Sequence, residues 1–130
     1  MTILLSYTPT KPGRAAAEAA IREAAAHDTD LVVVNARRGG ALVESRAASD
    51  EDLDALVRDA REAGVTATID RPENTDVAEA ILHAASEHRA EAIVIGIRHR
   101  SPVGKLLLGS TAQHILLDAP CPVIAVKSAV

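Results

Sequence analysis

The sequence predicts a three-layer α/β fold, a five-stranded parallel sheet with four helices over its two faces. Two observations carry this. Short continuous runs of Val, Ile and Leu alternate with longer stretches whose apolar residues recur at helical spacing, and strands that lose the in-out alternation are those buried on both faces. The 130 residues are 48% apolar, which excludes a disordered chain and gives one domain over 1–130 enough material for a core.

Taken in order, "TILLSY" (2–7) is the first buried strand. "GRAAAEAAIREAAAHD" (13–28) is an Ala-rich helix with Pro12 just ahead of it, a residue that suits a helix start. "DLVVVNA" (30–36) is the second strand. "SDEDLDALVRDAREAG" (49–64) has acids in its first turn, Leu53, Leu56, Val57 and Ala60 on one face, and Gly64 as a stop. "VTATID" (65–70) is a third strand. "TDVAEAILHAASEH" (75–88) spaces Val77, Ala80, Ile81, Ala84 and Ala85 along one helical face. "AEAIVIG" (90–96), "STAQHILLDA" (110–119) and "CPVIAVK" (121–127) complete the series as strand, helix and strand. Right-handed crossovers and coverage of both faces point to the order 3-2-1-4-5, the half-Rossmann arrangement, with its reversal between strands 1 and 4. Ligands in such sheets bind beyond the carboxyl ends of the strands at that reversal.

Two segments meet there, "YTPTKPG" (7–13) and the long connection from Gly96 to Gly109. A third long connection, 37–50, is expected to be a surface loop with Leu42 and Val43 against the body. In the second segment, Gly96 ends a strand, and Ser110 with Gln113 makes an S-x-x-Q capping box at a helix start. Arg98, Arg100 and Lys105 bring positive charge, and Ser101, Ser110 and Thr111 bring hydroxyls. Helix N-terminal amides attract anions. The inventory reads either as an oxyanion site, a phosphate above all, or as a turn, a cap and a solvated cationic loop.

Composition closes off other classes. One Tyr, no Phe and no Trp leave nothing on which bases would stack. A net charge of −4 without a basic run disfavours nucleic acid. No segment has the length of a membrane span or the pattern of a signal peptide, so a soluble cytoplasmic chain is expected. The single Cys121 makes no internal disulfide and no metal set, and reads as a small apolar residue. His27, His83 and His88 are placed at the surface, and His114 toward solvent or a partner. The carboxylates of Asp50, Glu51 and Asp52 belong to a helix first turn. Nothing is arranged as nucleophile, base and orienter, so the chain is read as a non-enzyme, with slow nucleotide hydrolysis as the lesser reading.

The stretch "AIVIGIRHRSPVGKLLLGSTAQHILLDAPCPVIAVK" (92–127) resembles the C-terminal third of the universal stress protein family. That family's ATP-binding members carry G-x2-G-x9-G-[S/T] after strand 4. Here the series is Gly96, two residues, His99, nine residues, Gly109, Ser110. "ILLSYTPT" is similar to the family's first strand and D-x-S turn, and "VVVNA" to its second strand, so the resemblance spans the chain. It implies the adenine nucleotide alpha-hydrolase-like fold, a site at Thr8, Ala36, Gly96, Arg98, His99, Gly109, Ser110 and Thr111, and ATP or another adenine nucleotide as ligand; the sequence itself requires no metal. It also implies a homodimer through the last strand, 122–127, and a cytoplasmic stress-response role.

Two positions depart from the family pattern. His99 stands in place of the second glycine and brings a Cβ and an imidazole where backbone amides would close on phosphate. Thr8 stands in place of the family's acid near the adenosine, and Thr10 in place of its serine. The alternative is therefore a dimerising interaction module that has lost ATP binding.

Overall fold

The computed structural model describes residues 2–36, 48–73, 75–98 and 108–128. Along the chain run β1 (Thr2–Ser6), α1 (Lys11–Ala26), β2 (Asp30–Val34), α2 (Asp50–Glu62), β3 (Ala67–Asp70), α3 (Val77–Glu87), β4 (Ala90–Ile97), α4 (Ser110–Asp118) and β5 (Val123–Lys127). All five strands are parallel in the order β3-β2-β1-β4-β5, the topology the sequence predicts. The expected loop at 37–50, with Leu42 and Val43, falls outside the described residues except for its last three positions.

Alternation along the strands divides the core in two. Ile3, Leu5, Leu31, Val33 and Val94 point to one face and pack with α1 and α2 through Ala16, Ala20, Leu53 and Leu56. Leu4, Val32, Ile93 and Ile95 point to the other and pack with α3 and α4 through Ile81, Ala84 and Ile115. Small residues on α1 substitute for aromatic bulk by letting the helix approach the sheet closely. Gly13 is buried, and a Cβ there would fall on the Thr8 carbonyl, 2.7 Å from the Thr8 Oγ1.

Element ends differ from the sequence reading for local reasons. α1 begins at Lys11, because Thr10 serves as N-cap, its Oγ1 accepting from the Gly13 N–H at 3.1 Å. Pro12 thus lies inside the first turn, where its missing N–H costs nothing. β3 begins at Ala67, since the Val65 amide is spent on the Ala60 carbonyl that closes α2. Gly64 stops α2 with a φ of +80°, a region that favours glycine. β5 begins after Pro122, whose carbonyl accepts from the Ile93 amide at 3.0 Å.

α2 starts with a full capping box. Ser49 accepts from the Asp52 amide at 3.0 Å, and the Asp52 carboxylate accepts from the Ser49 amide at 3.2 Å. Ser49→Ala is expected to cost about 1 kcal/mol, read as a lower denaturant midpoint at unchanged slope. Ser110→Ala should leave stability within about 0.5 kcal/mol, because the predicted capping box at Ser110 is not formed. Gly109 is the N-cap of α4, Ser110 is the first helical residue, and no side chain caps that end among the described residues.

Candidate functional site

The reversal between β1 and β4 opens a cleft of about 440 Å3, within the range of small-molecule sites. Its walls come from the carboxyl ends of three strands and the N-terminal ends of three helices. Val34, Ile95, Ile97 and Ile115 form an apolar floor and side, while Ser6, Thr8 and Thr10 bring hydroxyls. Arg98 is the one charged side chain among the described lining residues.

Of the eight residues the sequence singles out, the structure brings six to this cleft: Thr8, Ala36, Gly96, Arg98, Gly109 and Thr111. Ser110 is exposed at the first helical position and does not line it. His99 lies outside the described residues.

The first turn is held rigidly. Thr8 Oγ1 and Thr10 Oγ1 share a hydrogen bond at 3.0 Å, so the Thr8 hydroxyl is tied to the α1 cap. Gly96 sits against the first turn of α1: a Cβ there would run into the Pro12 carbonyl and come within 3.0 Å of the Gly13 nitrogen. Glycine at position 96 is thus demanded by the approach of α1 to β4.

Asn35 was not singled out by the sequence reading, yet it is the buried polar residue of the core, 1% exposed. Its Nδ2 donates to the Tyr7 carbonyl at 2.9 Å, and its Oδ1 accepts from the Ala48 amide at 3.1 Å. The Ala48 carbonyl accepts from Arg71 Nη2 at 2.7 Å, and Arg71 Nη1 donates to Asp50 at 3.0 Å. One amide therefore ties the end of β1, the end of β2 and the start of α2 together just beneath Thr8 and Ala36. The available signal was a lone Asn closing an otherwise apolar strand, since a polar group at such a place must be satisfied internally.

Helix ends add the electrostatics. α1, α2 and α3 are capped by the side chains of Thr10, Ser49 and Asp76. The N-terminus of α4 carries no side-chain cap among the described residues, and it borders the cleft through Gly109, Thr111 and Ala112. Its first-turn amides and the positive end of its dipole face the cleft beside Arg98.

Outside the cleft, His114 is half-buried between α3 and α4. Its Nε2 lies 3.3 Å from Glu79 Oε1 and 3.2 Å from Asp118 Oδ2. Asp76, Glu79 and His114 come together closely enough to ligate a metal ion, and none of them lines the cleft. His27 and His83 are exposed, each beside a carboxylate. Cys121 is half-buried, and burial pushes its thiol up, opposed by a backbone hydrogen bond with Ile93. Since the thiolate is the reactive form, Cys121 should react with a thiol reagent at pH 8 more slowly than free cysteine, and unfolding in urea should restore the rate. Among the described residues no helix is long and apolar enough to cross a membrane.

The topology and the cleft at its reversal define the class: an α/β protein of the adenine nucleotide alpha-hydrolase-like fold. The chain belongs to the universal stress protein family, whose model matches residues 1–127. It is 46% identical over 125 residues to a universal stress protein of Mycolicibacterium smegmatis, covering 96% of each chain. It is similar to the solved universal stress protein of Archaeoglobus fulgidus, with a TM-score of 0.81, 30% identity and 97% of each chain covered. A further Archaeoglobus fulgidus universal stress protein, solved in complex with dAMP, shares the fold at a TM-score of 0.70 and 24% identity, over 97% of this chain and 96% of that one.

Proposed function

We propose that this universal stress protein is a cytoplasmic binding module that holds an adenine nucleotide in the β1/β4 cleft and acts as a homodimer. One observation carries the reading. Among the helix N-termini that wall the cleft, that of α4 has no side-chain cap among the described residues, and it lies beside the lining cation Arg98. Unpaired helix amides next to an arginine are a phosphate-binding arrangement. The apolar wall of Val34, Ile95 and Ile115 suits a base, and the Archaeoglobus fulgidus relative solved with dAMP has the same fold.

Thr8, Ala36, Gly96, Arg98, His99, Gly109, Ser110 and Thr111 are the proposed contacts. Ser110 stands apart from the cleft wall, so its contribution is through the backbone amide. Arg98→Ala is expected to weaken AMP binding about tenfold or more, the effect of losing one charge-assisted contact of about 1.5–3 kcal/mol, with little change in melting temperature. Calorimetric titration of protein purified without ligand checks this. The absence of heat with ATP, AMP and cyclic AMP alike would sink the reading.

Dimerisation is proposed through β5. It is one of the two edge strands, paired with β4 among the described residues, with alternately exposed residues, and Leu117 on α4 is 82% exposed. An open edge of this kind invites pairing with a second copy. Sedimentation at micromolar concentration should give a dimer, and a monomer would contradict it. The same features favour the second reading, an interaction module without ligand, since Thr8 brings no charge and its hydroxyl is bonded to Thr10.

A further inference from the structure

We propose that the cleft takes its nucleotide free of divalent metal. This rests on the nucleotide reading above and specifies the form of the ligand. Magnesium on a nucleotide is ordinarily shared between phosphate oxygens and one or two protein carboxylates. The described stretches that reach the cleft from β1, β2 and β4 carry none: residues 2–17, 31–36, 92–98 and 108–117 contain no Asp and no Glu. The position at the mouth of the first turn is Thr8, a neutral hydroxyl bonded to Thr10.

The counter-charge for a phosphate comes instead from Arg98 and from the uncapped amides of α4. An arginine pairs with phosphate oxygens directly and bidentately. A divalent cation placed among these groups would meet two positive partners and, among the described lining residues, no anionic one. The described residues that do have ligand geometry, Asp76, Glu79 and His114, belong to the outer α3–α4 joint. There the His114 ring already sits between two carboxylates. The donor set of the described lining residues therefore does not fit a protein-held metal.

Calorimetric titrations of the full chain with AMP and with ATP, each in EDTA and in millimolar magnesium, test the proposal. AMP should bind equally well in both buffers. ATP should bind about tenfold or more weakly once magnesium is added, because the metal withdraws free nucleotide by mass action. Tighter binding of ATP with magnesium overturns the proposal. If that gain then disappears in Glu79→Gln, the metal is held at the α3–α4 joint, and if it persists, within the cleft. Heat from neither nucleotide in either buffer overturns the nucleotide reading itself, an outcome distinct from a magnesium requirement.

Discussion

Gly96→Val should destabilise the protein by about 3 kcal/mol and remove nucleotide binding. The Cβ at position 96 would fall on the Pro12 carbonyl, which is backbone and cannot turn aside as a side chain can. Overpacking of a tight interior site costs roughly 1–3 kcal/mol, and the extra methyls of valine place this case at the upper end. The damage propagates in a defined direction. Pro12 and Gly13 form the first turn of α1, and a Cβ at Gly13 would likewise fall on Thr8. Displacing that turn moves the Thr8–Thr10 pair and widens the seam between β1 and β4 where the cleft opens. Thermal melting checks the stability effect, as a fall of about 10 °C for a chain of this size. Gly109→Ala is the control, since a Cβ at Gly109 meets nothing within 4 Å. It should melt within a degree or two of the parent.

Asn35→Leu carries the second largest expected effect. Leucine matches the shape of asparagine but leaves the Tyr7 carbonyl and the Ala48 amide without their buried partner. Each orphaned group costs about 1–3 kcal/mol, less the gain from burying an apolar side chain, for a net loss of about 3 kcal/mol. Asn35→Asp separates the two contacts. A carboxylate still accepts from the Ala48 amide but opposes the Tyr7 carbonyl, oxygen against oxygen, in a site 1% exposed to solvent. Urea unfolding of both variants should place Asn35→Asp at least as low as Asn35→Leu at pH 7, because burying an unpaired charge costs more than losing a neutral hydrogen bond. Equal stability of both variants with the parent would show that Asn35 is not what ties the ends of β1 and β2 to α2.

The fold was legible because each strand is a short apolar run and each helix an amphipathic one, and because strand order follows once crossovers must be right-handed and both faces covered. "DLVVV" and "AIVIG" read as doubly buried strands without ambiguity, and their residues fill both halves of the core. Helix ends were less legible. Ser110 with Gln113 has the spacing of a capping box, yet Gly109 takes the cap position, because residue spacing alone does not fix where the first helical φ/ψ pair falls. Pro12 marked the start of α1 only to within two residues, since proline is tolerated anywhere in a first turn.

The candidate site was legible in its Thr8, Ala36, Gly96, Arg98, Gly109 and Thr111 members, which sit at or beside the strand ends and the helix start that meet at the reversal. It was not legible in Asn35 and Gly13. The importance of Asn35 comes from a contact with the Tyr7 carbonyl far away in sequence, and that of Gly13 from the close approach of its turn to the Thr8 carbonyl, and residue spacing specifies neither partner. The outer grouping of Glu79, His114 and Asp118 was missed for the same reason, as only the packing of α3 against α4 brings Glu79 to His114.

The proposed function places an adenine nucleotide in the β1/β4 cleft. Titration of isotope-labelled protein with AMP, followed by amide NMR, tests it most directly. Saturable shifts are expected at Thr8, Gly96, Arg98 and Gly109, and at the first-turn amides Ser110 and Thr111, with β3 and the far end of α1 unmoved. Unshifted amides at those positions at millimolar AMP, or shifts confined to the Glu79–His114 surface, would contradict it.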